Sequence, residues 1–454
     1  MRFKTTVFLA LLLVALVTYY WVVERPRQES GDPRPLILHV KPEDVTAVTL
    51  EGGGRTVRLV REKDDVWRME QPVQAPVDKI EMENLLNRVT DLRFDRALGK
   101  VDRPGDYGLK NPRQRVILET RSGKKAVLLM GDDAPVGGRI YAMNQESGEA
   151  GVASVTLEEM APDPFKWRDK KVLRFERDKL AEIRIRKGGR RVRLVREDGI
   201  WWVGEAKTLR ADPMAVQGVI LDLSGLKATG FPEAGRARGS RETLRVQLAY
   251  SPGEAPAATL IVRKDRAGNR YATVEGNPVL FQIAPDALQE VKAAEDAYYE
   301  RVILPLVAFD VRRMEIAPKE GAAFVLVRKG DTWSVEGKPD LVLDQERVRD
   351  LRDRLLGLKW KRVASRNATD LAPYGLASPA YAVVFKNADG KEMGTLHIGK
   401  RRGGRVWVKE ARSRAVFVAP ASELGDLPET PEALKAEPAT PSPEPPASQA
   451  EPAS

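Results

Sequence analysis

Three tryptophans, Trp67, Trp201 and Trp333, are each followed eleven residues later by an aspartate: Asp78, Asp212 and Asp344. The pairs recur at intervals of 134 and 132 residues. A spacing kept this closely means that one structural unit occurs three times, which constrains the fold before any local reading begins. The 454-residue length independently leaves room for three domains, taking roughly 150 residues for each.

Each unit opens on an apolar strand ending at Leu50, Ile185 or Ile316. A turn follows, and then a strand of alternating character. Val57-Arg-Leu-Val-Arg-Glu62 is matched without change by Val192-Arg-Leu-Val-Arg-Glu197, and more loosely by Phe324-Val-Leu-Val-Arg-Lys329. Alternation with period two places one face on a core and the other in water. The tryptophan strand completes a meander, with Trp67, Trp201 and Trp333 as core anchors.

The aspartates then read as helix N-caps, whose carboxylates accept from free amides of the first turn. Glu81 stands three residues after Asp78, as in a capping box, and Pro213 takes the first helical position after Asp212. At +7, +11 and +14 from each aspartate stand Leu85, Val89, Leu92; Val219, Leu223, Leu226; and Leu351, Leu355, Leu358. Those offsets share one helical face, so the helix packs that stripe on the sheet.

A second group of strands follows. Copies one and three introduce it with Asp106-Tyr107-Gly108-Leu109 before Asn111-Pro112, and Pro373-Tyr374-Gly375-Leu376 before Ser378-Pro379. Copy two carries Arg236 to Arg241 instead, and is expected to have lost the turn. In the next hairpin, Gly138-Arg139, Asn269-Arg270 and Gly404-Arg405 lead to Tyr141, Tyr271 and Trp407. The expected fold class is α+β: three tandem modules, each an antiparallel sheet with one main packed helix, after an N-terminal transmembrane helix. The expected divisions are residues 1–35 for the anchor and linker, 36–172, 173–304 and 305–427 for the modules, and 428–454 for a tail.

The anchor rests on Thr5 to Val23, which carries no charge and as a helix would span about 28 Å, near the thickness of a bilayer core. Tyr19, Tyr20 and Trp21 fall at its far end, where amphipathic rings favour the headgroup layer. Bulky aromatics also occupy the zone where a cleaved signal peptide needs small residues. The reading is an uncleaved signal anchor, single-pass in the inner membrane, with the bulk of the chain extracytoplasmic. From Pro428 to Ser454, a Pro/Ala/Glu/Ser composition is expected to be disordered. That segment holds five acidic residues against Lys435, a net of −4, so the remainder of the +10 chain carries +14. A basic body suggests acidic partners: anionic headgroups, acidic glycans or acidic protein faces.

Reactive chemistry is sparse. With no cysteine, disulfides, thiolate metal sites and cysteine nucleophiles are excluded. The two histidines, His39 and His397, fall in different modules and have no histidine counterparts in the other copies. They read as strand or surface residues. Asp64-Asp65 and Asp132-Asp133 read as hairpin-turn aspartates. Neither a phosphate-binding loop nor a Gly-x-Ser-x-Gly elbow occurs. The Arg-aromatic pairs look only superficially like nucleic-acid stacking platforms, and no nucleic-acid partner is expected.

The tryptophan strand, the aspartate-capped helix, Tyr-Gly-Leu-x-x-Pro and the Gly-Arg-aromatic strand together resemble the bacterial family called domain of unknown function 4340. The resemblance covers nearly all of Leu36 to Leu427 and departs in copy two. It implies an envelope accessory protein, with subunits of an ABC-type export system as partners and no catalytic residues. The expectation is therefore a non-catalytic membrane-anchored periplasmic scaffold or binding protein without cofactor or metal. Binding of anionic glycan or lipid headgroups, and a carboxylate-dependent envelope hydrolase, are the alternatives.

Overall fold

The computed structural model of the protein describes Leu13, residues 34–135 and residues 137–436. Among these, no helix is long and apolar enough to cross a membrane. The expected anchor lies, Leu13 apart, outside the described residues, as does the tail from residue 437.

The described residues are sheet-rich, forming three antiparallel sheets of nine, nine and eight strands. In the first, the strands lie in the order Ala75–Pro76, Trp67–Gln71, Arg55–Arg61, Val45–Gly52, Gln114–Thr120, Lys125–Asp133, Ile140–Asn144, Glu149–Ala153 and Arg96–Lys100. The second sheet repeats this order, and the third repeats it without the short first strand. A helix, Lys79–Thr90, carries the chain from one edge of the sheet to the other, and its counterparts are Pro213–Ser224 and Gln345–Gly357. The stripe foreseen at +7, +11 and +14 is buried in all three copies, with no residue of it more than 4 % exposed. The +14 residue lies just beyond each helix end, at Leu92, Leu226 and Leu358.

The three aspartates cap as their spacing predicts. Oδ1 of Asp78 accepts from the amides of Ile80 and Glu81 at 3.0 and 3.2 Å. Asp212 accepts from Met214 and Ala215 at 2.8 and 3.4 Å, and Asp344 from Glu346 and Arg347 at 2.9 and 3.1 Å. The capping box at Glu81 does not close. The backbone N–H of Asp78 donates instead to the carbonyl of Trp167 at 2.9 Å. This replacement recurs: Asp212 donates to Tyr298 O at 2.8 Å and Asp344 to Leu434 O at 2.9 Å. Each module is thus closed by its own last turn docking on the start of its own helix.

The opening segments are tied by equivalent antiparallel bridges. Ile37, Val172 and Ile303 donate to the carbonyls of Leu92, Leu226 and Leu358 at 2.9, 3.0 and 3.1 Å. These two triplets of bonds move the expected boundaries. Module one closes at Trp167, module two runs from Lys171, and module three opens at Val302 rather than Pro305. The break between the two compact units of the chain falls between Lys170 and Lys171, so modules two and three share one unit. They also share one continuous buried cluster, while module one has its own. The tail boundary at Pro428 is corrected for the residues up to Ala436. Pro431–Leu434 forms a short helical turn, Leu434 is 5 % exposed, and Lys435 bridges Leu343. Leu434 supplies the closing carbonyl here, which composition alone could not reveal.

The Tyr-Gly-Leu turns lie on the other face of their sheets, away from the helix. Gly108 and Gly375 end short helical turns in the left-handed region, at φ 69° and 67°. The turn presses its tyrosine carbonyl onto a glycine of the sheet. A Cβ on Gly131 would come 2.2 Å from Tyr107 O, and one on Gly399 would come 2.3 Å from Tyr374 O. Gly131→Ala is therefore expected to cost about 1–3 kcal/mol through overpacking against backbone. Gly105→Ala, with open space around it, should stay within about 0.5 kcal/mol. Chemical denaturation of the two variants checks both figures.

Candidate binding site on the second module

The residues foreseen as repeat anchors do not converge on a reactive centre; they hold each module together. Trp67 and Trp333 are buried, at 8 % and 1 % exposure. Trp201 is only half-buried against the core, a correction to its reading as a full core residue. The backbone explains the eleven-residue spacing to the aspartate. Val77, just before Asp78, donates to Trp67 O at 3.2 Å, and Ala211 donates to Trp201 O at 2.7 Å. In the third copy the side chain of Gln345 grips both backbone groups of Trp333, at 2.7 and 3.0 Å.

Of the aromatic residues after the hairpin arginines, Tyr271 is buried, at 2 % exposure, whereas Tyr141 and Trp407 are half-buried. Tyr141 meets Tyr107 edge-on at 4.8 Å within a small separate cluster that includes Leu109 and Leu129. Asp132 and Asp133 end a strand instead of forming a turn, and Asp133 pairs with Arg113 at 3.1 Å. Asp64 and Asp65 do sit in a turn, both with φ of 60°. His39 is exposed. His397 lies half-buried opposite Lys409, and burial together with that ammonium pushes its pKa below the ordinary value.

Module two differs on its outer face at two linked places. It keeps a short helical turn at Ala234–Ala237, correcting the expectation that the turn is lost, but Arg238 follows in extended conformation where the other copies have a left-handed glycine. Counting along the docking strand, Arg263 stands where modules one and three have Gly131 and Gly399. The docking glycine and the turn that needs it are replaced together.

The same face carries five arginines on neighbouring strands. Ile185, Val192 and Val246 are in register and point to the core, so Arg184, Arg186, Arg191, Arg193 and Arg245 point away from it. At the matching positions module one has Thr49, Glu51, Thr56, Arg58 and Arg115. Module three has Glu315, Ala317, Val325 and Ala382 at four of them. The five line a depression of about 640 Å³ together with Gln247, Gly204, Glu205 and Glu295.

Carboxylates set the guanidiniums in place from beneath and beside. The Glu182 side chain is 0 % exposed and accepts from Arg184 at 2.7 and 2.8 Å, from Arg193 at 2.5 Å, and from the Gly253 amide at 2.8 Å. Burial pushes its pKa up, but the two guanidiniums and the amide outweigh it and bring it down to about 2. Glu242 is also brought down to about 2, chiefly by its hydrogen bonds from Arg245, against burial, with Arg186 assisting. Arg191 has no ion pair or side-chain hydrogen bond among the described residues. An oriented set of guanidiniums with spare donors suits carboxylate or phosphate oxygens, which take paired N–H bonds. The alternation Arg184-x-Arg186 and Arg191-x-Arg193 was a usable sequence signal for this face. Arg245 and the buried Glu182 could be joined to it only through strand register.

No curated protein matches the chain. Among solved structures, a match is an adhesin described as Ca2+-stabilized and as helping an Antarctic bacterium reach out and bind ice. It is 8 % identical over 84 % of this chain and 83 % of that one, with a TM-score of 0.10, too low to indicate a shared fold. The family model described as "Domain of unknown function (DUF4340)" matches residues 32–112, 67–244, 201–342 and 333–437. These overlapping segments run through all three modules and step with the tryptophan period, and the chain belongs to this family.

Proposed function

We propose that the protein is a non-catalytic scaffold of the bacterial cell envelope. It is held in the inner membrane by the Thr5 to Val23 stretch, and its modules project outside the cytoplasm. It binds acidic envelope partners, subunits of an ABC-type export system among them, through the outer face of module two. The observation that carries the reading is the contrast between copies. The capped helix and its apolar stripe recur in all three modules, whereas module two alone combines a replaced docking glycine with five outward arginines.

Capture tests this directly. Chemical cross-linking in membranes, followed by purification of the full-length protein, should recover transporter or other envelope subunits. The charge-reversed pair Arg191→Glu and Arg245→Glu should lose most of that recovery. Recovery of the protein alone in several detergents would refute the proposal.

The arginine face also favours a second reading, an anionic glycan or lipid headgroup as its ligand. Exposed charge–charge attraction is screened within about 8–10 Å at physiological salt. Binding of the full-length protein to an acidic polysaccharide should therefore weaken steeply between 50 and 500 mM salt, on the order of tenfold or more. Binding indifferent to salt would rule this reading out.

A further inference from the structure

Within the second compact unit, modules two and three meet at a cleft of about 500 Å³ that differs in chemistry from the arginine face. Module two contributes Trp202 and Arg210; module three contributes Asn367, Glu410, Arg412 and Arg414. Trp202 is half-exposed, with the Arg210 guanidinium 6.0 Å from its ring centre. Among the described residues, Arg210 and Arg414 have no carboxylate within ion-pairing distance, and Arg412 reaches only Glu392 at 3.5 Å. Glu410 is 8 % exposed, and its carboxylate accepts no hydrogen bond and forms no ion pair among the described residues.

We propose that this cleft binds a carboxylated saccharide. Each element of the cleft selects for one part of such a ligand. Two guanidiniums without carboxylate partners suit the ligand's carboxylate, which accepts paired N–H bonds. The Glu410 carboxylate accepts no hydrogen bond from the described residues and lines the cleft, so it can accept from sugar hydroxyls, whereas it would repel a polyanion without hydroxyls. The half-exposed indole offers a flat apolar surface to a sugar ring. An extended acidic peptide is disfavoured by the backbone. The edge strand Leu209–Arg210 that lines the cleft is already covered, with Glu300 N donating to Arg210 O at 3.0 Å and Ala211 bridged to Tyr299. No free strand edge is left there for such a peptide to extend.

The test is calorimetric titration of the full-length protein in detergent with three probes: a short oligogalacturonate, a neutral oligosaccharide of equal length, and poly-glutamate. The oligogalacturonate should bind at least tenfold more tightly than either of the others. Arg414→Ala and Trp202→Ala should each weaken it at least tenfold, and Arg414→Lys should rescue only part of the loss. Unchanged thermal unfolding verifies that these variants remain folded. Arg191→Ala, on the arginine face, should leave the binding that depends on Trp202 and Arg414 unchanged while reducing partner capture, so that failure of the cleft and failure of the scaffold reading are told apart. Equal binding of the neutral sugar or of poly-glutamate would overturn the proposal, as would oligogalacturonate binding that survives both cleft variants.

Discussion

Replacing Trp333 by alanine is expected to remove about 3–5 kcal/mol from the stability of the unit that contains modules two and three. The side chain is 1 % exposed and lies in the shared buried cluster with Val335, Leu343, Val348 and Leu351. Its indole N–H has no hydrogen-bond partner, so the loss is almost purely one of packing and apolar burial. Gln345 holds the tryptophan backbone through its own side chain, so the strand should keep its register after truncation. The cost should then appear as a cavity rather than as a rearranged edge. Trp201→Ala offers the internal comparison. Trp201 occupies the same place in module two but is only half-buried, so its truncation should cost about half as much. Thermal or urea unfolding measures both, and equal losses would contradict the distinction drawn between the two copies.

Glu182→Ala is expected to cost about 3–5 kcal/mol, because it strands two guanidiniums beside a site built around a carboxylate. The effect should also be visible in acid. With a folded pKa of about 2 against an ordinary value of 4.5, Glu182 contributes its full stabilisation above pH 4.5. That contribution declines as pH falls through this interval and is gone below about pH 2. The wild-type protein should therefore lose stability steeply between pH 4.5 and 2, with Glu242 adding to the slope. The alanine variant starts lower and should lose less over the same range. Parallel acid limbs for the two proteins would show that Glu182 is not held ionised by the arginines. The variant has a functional consequence as well. Without Glu182, Arg184 and Arg193 are no longer oriented, and partner capture should fall even though the face has become more positive.

The parts of this fold that were legible in the sequence depend on short-range periodicity. A cap and its amides are two or three residues apart, and an apolar stripe repeats within one helix. Asp78, Asp212, Asp344 and their stripes could therefore be read from spacing. The closing turns could not. Trp167, Tyr298 and Leu434 share no residue type, because they act through backbone carbonyls that any residue supplies. That is why module three extends past Pro428 into a stretch whose Pro/Glu/Ala composition suggested a tail. The docking glycines were hidden for a related reason. Gly131 lies 24 residues from Tyr107, and only strand register brings the two together. The arginine face was half visible, as alternation within two strands. The cleft was not visible at all, since Trp202 and Arg414 come from different modules and share no motif.

Site-specific photo-cross-linking compares the copies most directly. A photoreactive residue placed at position 191 probes the arginine face of module two, and one at position 56 probes the matching site of module one. In intact cells the 191 probe should capture a discrete envelope component and the 56 probe should not, and the capture at 191 should vanish when Arg245 is changed to glutamate. Capture at both positions alike, or at 56 alone, would contradict the claim that module two has been converted from a packed repeat into the binding surface.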